Sequence, residues 1–488
     1  MRALGIAVIA FCVCASACGE KIDNSQYAEP MGRILEKAPD WVEDTALGRR
    51  LWAVEREFYK SRGYLPAWID GAETTPQWKA LVSELKYSAV HGLEPASYGV
   101  DTFERAREES QTRFSGTRFP LEAVPELDTR MTYVYLRYAA DLLGWTRSAR
   151  QVHRQWLTDS KKEDLAGRLT AALESGRIRE SLEALAPTHP QYKGLQAALA
   201  AERQTPLRAD ASTGQAPGGQ ADVIRMNMER WRWAPRDLGD RYVLINVPAY
   251  VMQVMASDQP VLAMRVIVGE PDHQTPLFSD QMTYIVFSPY WNIPPQILRD
   301  ETLPRVARDP SFLERNNIEV VGTSGTPLDP NSIDWSDELA SKGVRFRQRP
   351  GSDNALGLVK FIFPNNFNVY LHDTPTDKLF FKEKRAFSHG CIRVEDPVAL
   401  ARYVLRDQPE WTDARIHDAM NARSERTVKL TQPIPVHIGY WTAWVEPDGK
   451  TVTYTDDPYG IDERHRRLLQ TSNSQRPTPK RPQRQGSV

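Results

Sequence analysis

Cysteine is almost missing from this chain. Four occur in 488 residues: Cys12, Cys14 and Cys18 at the start, and Cys391 alone thereafter. Cys391 has no downstream partner, which excludes a disulfide framework in the folded body. Long apolar runs are missing too. Beyond the first residues nothing approaches the ~20 consecutive apolar residues that a membrane-crossing helix needs. A surplus of one charge is also lacking. The 62 basic and 63 acidic residues leave a net charge of −1, so no global field points to nucleic acid. No phosphate-binding loop, dinucleotide fingerprint or hydrolase nucleophile elbow is present. What remains is ordinary globular material. Apolar residues at 41% and charged residues at 26% allow real cores, and the length predicts two or three domains.

The N-terminus differs from the rest. Arg2 precedes an apolar run, Ala3 to Ala17, that is too short to span a bilayer and fits a secretory signal over residues 1–17. It ends in Ala15-Ser16-Ala17-Cys18-Gly19, which resembles a bacterial lipoprotein processing site with Cys18 as the lipidated first residue. Simple cleavage near Ala17 is the alternative. The expectation is a periplasmic protein, lipid-anchored to a membrane if Cys18 is modified. Gly19 rather than Asp after Cys18 leans towards the outer membrane. Export gives Cys391 meaning. A free thiol in an oxidising compartment is a liability, and its retention suggests that its chemistry is used. The alternative is a buried, inert cysteine.

Residues 18–45 show no sustained period and read as a tether. Residues 46–202 read as an all-helical scaffold domain. Leu51, Val54, Phe58 and Tyr59 recur at helical spacing. Thr75 and Pro76 open a second helix with Trp78, Leu81, Leu85 and Ala89 on one face, and Gly92 suits its C-terminal cap. Leu127, Met131, Val134, Tyr138 and Leu142 form a third stripe. Trp41, Trp52, Trp68 and Trp145 lie with these faces and read as packing residues rather than a sugar platform. His91, His153 and His189 lack clustered partners and read as structural. Residues 203–222 are rich in Ala, Gly, Pro, Ser, Thr and Gln, the composition of a flexible linker.

Residues 223–465 then switch to a mainly β, sandwich-like α+β pattern: a short helix from Ile224 to Trp233, followed by short strands separated by turn signals. Residues 296–350 interrupt that run with a helix and two short strands. An insertion of this length upstream of the cysteine is a candidate lid, the alternative being a passive elaboration. Asp396-Pro397 opens a later helix and Asp448-Gly449 marks a hairpin. Residues 466–488, basic and polar, read as a disordered tail.

The chain is organised around Ala386-Phe387-Ser388-His389-Gly390-Cys391-Ile392-Arg393-Val394, with His372 at the end of the strand-like run Phe367-Asn368-Val369-Tyr370-Leu371. A lone cysteine with histidines nearby is a candidate nucleophile. His372 with Ser388-His389-Gly390-Cys391-Ile392-Arg393 resembles the signature of the L,D-transpeptidases with a YkuD-type catalytic domain. Tyr290-Trp291-Asn292-Ile293-Pro294-Pro295, Leu356-Gly357-Leu358-Val359-Lys360-Phe361 and Arg230-Trp231-Arg232-Trp233 resemble the large multidomain Gram-negative members. The resemblance is close over about 222–445 and looser over about 46–200. It implies a YkuD-type fold with a capping subdomain, peptidoglycan stem peptides as substrate, no cofactor, cell-wall synthases as partners, and acylation of the cysteine by carbapenems. The small wall-binding module of many large members has no counterpart pattern here.

Acyl transfer needs a nucleophile, a base, and donors for the oxyanion. Cys391 supplies the first, and an imidazole would form a thiolate–imidazolium pair with it. His372 matches the family's base position. His389 would face the same side as Cys391 if that segment were extended, so it is the alternative. The resemblance implies a backbone carbonyl as the group that orients His372. Backbone amides of Gly390 and Cys391 are candidate oxyanion donors, as is the Tyr370 hydroxyl. Arg393 is a candidate for a substrate carboxylate or for a structural ion pair. Ser388 would bond within the turn or near the base. Trp291 and Asn292 would wall the acyl groove, the alternative for Trp291 being core packing. A zinc site of His372, His389 and Cys391 is a further alternative by residue type, but the spacing and the resemblance argue for no metal. The expected activity is a 3→3 crosslink between stems. The alternatives keep the thioester but use water or a protein lysine as acceptor, or make the chain a non-catalytic wall-binding scaffold lipoprotein.

Overall fold

The computed structural model describes residues 22–113, 119–158, 162–204, 219–309, 311–322, 324–330 and 344–474. The signal, Cys18, most of the linker, part of the insertion and the end of the tail lie outside these residues. Among the described residues no helix is long and apolar enough to cross a membrane.

The helical domain follows its apolar stripes. Thr45 caps helix Ala46–Ser61 by accepting from Gly48 N at 2.9 Å, and Leu51, Phe58 and Tyr59 are fully buried on its inner face. Thr75 caps helix Pro76–Tyr87, whose Trp78, Leu81 and Leu85 point into the same core. Gly92, at φ +72, ends the following 3-10 turn in the left-handed region that glycine adopts without strain. Helix Val124–Leu143 runs through the middle. Its buried Asp128 accepts from the backbone of Ala67, Trp68 and Ile69 and from the Tyr59 hydroxyl, so one carboxylate ties three segments together. Trp52 and Trp68 are buried, with Trp41 edge-on to Trp52.

The helical domain differs from the expectation in two ways. The tether over 18–45 is structured from residue 24 onward. A 3-10 turn leads into helix Ala28–Glu36, and Tyr27, Met31 and Leu35 are buried in the domain core. Three anchors at i, i+4 and i+8 in an otherwise polar stretch give a weak local period, and the core they enter comes from elsewhere in the chain. The domain is also not wholly helical, since Ile69–Asp70 and Glu73–Thr74 pair as a minimal hairpin.

Helix Gly219–Trp233 leads into the second domain. Its strands are β1 Arg241–Asn246, β2 Val251–Ala256, β3 Gln259–Gly269, β4 Ser279–Phe287, β5 Val359–Ile362, β6 Leu371–His372, β7 Ala386–Ser388, β8 Ile392–Val394 and β9 Arg426–Gly439. Their order is β7-β3-β8-β6-β5-β4-β9-β1-β2, and β2 pairs back onto β3. The layers of the expected sandwich are therefore one sheet that closes on itself through the long β3. Closure packs the inward residues of eight strands into one apolar core, with Ala386 of β7 partly buried against it, and among the described residues leaves no long free edge in this sheet.

The insertion is a subdomain. Trp291–Asn292, Arg345–Gln348, Ile318–Val321 and Pro327–Leu328 make a separate four-stranded sheet, with its own small core of Ile293, Val306, Leu313, Val320 and Phe346. At the C-terminal end, the hairpin Ala443–Val445/Val452–Tyr454 packs onto the helical domain. Gln191 bonds both backbone groups of Val445, and Trp441 stacks on Trp231 at 4.4 Å between ring centroids. The tail expected from 466 is helical over 466–474. Helix Ile461–Ser474 continues through that point and buries Ile461 and His465, with His465 against Glu229 at 3.1 Å.

Candidate active site

Cys391 sits at the start of β8, beside β6. The two strands are parallel, with Leu371 opposite Ile392 and His372 opposite Arg393. Leu371 and Ile392 are fully buried in the core. Side chains alternate along a strand, so Tyr370, His372, Cys391 and Arg393 share the other face. One strand pair thus gathers four of the candidates of the sequence reading.

His372 is nearly buried at 4% exposure, and its Nδ1 donates to the carbonyl of Asp373 at 2.6 Å. That bond sets the tautomer and leaves Nε2 as the acceptor. The orienting group is a backbone carbonyl, as the resemblance implied. Burial, then the Arg393 guanidinium, push the His372 pKa down to about 3. Burial also raises the Cys391 thiol above its ordinary value, against the pull of Tyr370 and Arg393. Both shifts favour the neutral thiol and neutral imidazole over the thiolate–imidazolium pair of the sequence reading. Alkylation of Cys391 by iodoacetamide, which needs the thiolate, should climb steadily from pH 7 to 9, without the plateau of an activated cysteine. A rate already flat below pH 7 would contradict the neutral pair.

The Tyr370 hydroxyl and backbone N–H both approach the Cys391 sulfur, and Tyr370's own pKa is raised by burial and by that neighbour. The thiol points at the carbonyl of Asn368, at 3.8 Å. The sequence reading missed Asn368, although Pro364-Asn365-Asn366-Phe367-Asn368 is a turn composition directly before the histidine strand. Asn365 holds that turn through Phe363, Phe367 and Val369, with Asn368 at φ +56.

Gly390 corrects two expectations. Its φ of +112 breaks the chain direction between β7 and β8, so His389 and Cys391 do not share a side. His389 turns to the capping subdomain, where its Nε2 meets Glu301 at 2.9 Å, and His372, His389 and Cys391 do not converge as metal ligands. The N–H of Gly390 donates to Ser388 Oγ at 3.1 Å, so it is not aimed at an oxyanion. Ser388 also donates to the Cys391 carbonyl and closes the turn, as expected of it. Thr275 Oγ1 holds the Gly390 carbonyl at 2.9 Å. Arg393 donates to Thr376 Oγ1 at 3.2 Å while its Nε has no partner, and among the described residues no carboxylate pairs with it. Trp291 packs into the core of the capping subdomain, and Asn292 stands exposed on that subdomain's sheet, paired with Arg347.

Asp373, whose role was open, braces the site. Its half-buried carboxylate accepts from Leu358 N and Thr374 N, each at 2.7 Å. Gly357 lies under it at φ +61, and a Cβ there would stand 2.3 Å from Asp373 Cγ. Gly357→Ala should cost about 2–4 kcal/mol by overpacking and backbone strain. Adding Asp373→Gly should recover part of the lost melting temperature. No recovery in the double variant would show that the clash is not the cause.

Residues 240–438 match the YkuD family, the L,D-transpeptidase catalytic domain, and residues 55–199 match the Scaffold domain family. A Haemophilus influenzae protein, named provisionally as an L,D-transpeptidase, is 28% identical over 413 residues, covering 83% of this chain and 77% of its own length. Among solved structures, an L,D-transpeptidase from Mycobacterium smegmatis aligns over 41% of this chain and 58% of its own, at 13% identity and a TM-score of 0.19. L,D-transpeptidase 1 of Mycobacterium tuberculosis aligns over 41% and 60%, at 10% identity and a TM-score of 0.16. This chain spans less than two thirds of either mycobacterial structure. Residues 240–438 thus match an L,D-transpeptidase catalytic domain of the YkuD family, and residues 55–199, on the other side of the linker, match a Scaffold domain.

Proposed function

We propose that this enzyme is a peptidoglycan L,D-transpeptidase that works through a thioester on Cys391. The observation that carries it is the shared face of Tyr370, His372, Cys391 and Arg393 across β6 and β8. The sulfur attacks the carbonyl of the third residue of a tetrapeptide stem. Its proton passes to His372 Nε2 and then to the departing amine, and D-Ala leaves. A side-chain amine of another stem attacks the thioester, gives its proton to His372, and frees the thiol with a 3→3 crosslink formed.

The resting neutrality of the pair fits this order. Imidazolium is unfavourable in a buried site beside Arg393, but a developing oxyanion offsets it at the moment of attack. The Tyr370 hydroxyl is the side-chain donor placed to meet that charge. Arg393, with no acidic partner among the described residues, takes a carboxylate of the stem. Export through residues 1–17, with anchoring at Cys18, would bring the enzyme to its substrate in the periplasm. Cell-wall synthases are the natural suppliers of new stems there.

Incubation of tetrapeptide muropeptides with the enzyme, read by mass spectrometry, tests this. A dimer that has lost one D-Ala supports it. Tripeptide without dimer would make water the acceptor, and tripeptide attached to a lysine of an added outer-membrane protein would make it an anchoring enzyme.

A further inference from the structure

Beside the cysteine loop lies a second group of side chains that acyl transfer leaves unused. Glu270 and His273 stand in the turn after β3, and His389 comes two residues before Cys391. One ligand atom from each of these three residues lies within 4.8 Å of the others. The imidazole centroids of His273 and His389 are 4.7 Å apart, and His273 Nδ1 is 2.9 Å from Glu270 Oε1. All three are partly accessible. We propose that Glu270, His273 and His389 bind one divalent transition ion of the zinc class, and that the ion fastens the capping subdomain to the cysteine loop. This goes beyond the acyl-transfer reading and does not depend on it.

Two imidazoles and a carboxylate suit such an ion, and they are the ligands of open three-residue zinc sites. Bonds of about 2.0–2.2 Å in tetrahedral geometry set ligand atoms roughly 3.3 Å apart. The present spread needs a closure of about 1.5 Å, which rotation of half-exposed side chains can supply. The backbone beneath them is already fixed. Glu270 N donates to Ser388 O at 2.9 Å and His273 N to Glu270 O at 3.0 Å, while Thr275 clips the Gly390 carbonyl.

The capping subdomain supplies the outer partners. Gln296, in its leading helical segment, meets His273 Nε2 at 2.9 Å. With an ion on Nδ1, Nε2 carries the proton and donates to the Gln296 amide oxygen after a flip of that amide. Glu301 of the same segment meets His389 Nε2 at 2.9 Å and can add a fourth ligand. Two carboxylates and two neutral imidazoles would then balance the double charge of the ion.

The test is titration of the metal-free full-length chain with Zn2+ against a chromophoric chelator, and with Co2+ by visible spectroscopy. Expected is one equivalent of Zn2+ with affinity at least about ten-fold weaker in His273→Ala, His389→Ala and the isosteric Glu270→Gln, and unchanged in Cys391→Ala. The Co2+ complex should show ligand-field bands without a thiolate charge-transfer band. Loaded wild type should melt higher than the metal-free form, and Glu270→Gln should not. If an alanine variant fails to fold, Glu270→Gln and the Co2+ spectrum still decide. No stoichiometric binding overturns the proposal, and so does binding lost in Cys391→Ala but kept in Glu270→Gln.

Discussion

Cys391→Ala will abolish thioester chemistry while leaving the fold in place. Crosslinked product should fall at least about 10³-fold, to background, because no other group on the β6–β8 face can form the acyl intermediate. A carbapenem offers the same electrophilic carbonyl. Wild type should gain one drug mass on intact-mass analysis, located at Cys391, and the variant none. The thiol is half-buried, and its side-chain contact is the Tyr370 hydroxyl. The substitution should therefore change stability by no more than about 1 kcal/mol, a few degrees in melting temperature at most. Retained product in the variant would remove Cys391 from the reaction. A protein that no longer folds would make the cysteine structural, contrary to its place at a strand start.

His372→Ala is the second large effect. It removes the acceptor for the thiol proton, and acyl transfer should drop by about 10²–10⁴-fold. The pH profile separates a lost base from a damaged fold. In wild type the reactive form is the neutral thiol with the neutral imidazole. With the His372 pKa held near about 3, that form persists through pH 5–8. The wild-type rate should therefore stay flat across that window and decline only as pH falls towards 3, with no limb near the ordinary histidine value. Without the imidazole, the residual rate depends on thiolate alone. Because burial raises the thiol, that rate should climb with pH up to and beyond the ordinary cysteine range. A variant that keeps the flat profile at a lower rate would indicate altered positioning rather than a missing base.

The candidate site was legible where chemistry lies in local sequence. A lone cysteine, two histidines at short range and a strand before one of them needed no structure to be noticed. Ser388 closes its turn and His372 is oriented by a carbonyl, both as expected. His389 was misjudged because the alternation rule assumes extended backbone, and Gly390 leaves it. The amide of Gly390 was assigned to an oxyanion although a serine two residues away could claim it. Glu270, His273 and Glu301 escaped notice because residues some 90 to 120 positions upstream of Cys391 have no local sign of meeting it.

The same division runs through the whole protein. Sequence alone determined the helical stripes, their threonine caps, the change to short strands after residue 240 and the lone cysteine with histidines close by. Each is a property of nearest neighbours or of residue type. Tertiary structure decided that the strands close into one sheet, that residues 24–36 join the helical core, and that helix Ile461–Ser474 packs back on Glu229. It also set the burial that favours the neutral forms of His372 and Cys391. These depend on which distant surfaces meet, since burial and desolvation come from the packed whole rather than from any stretch of chain.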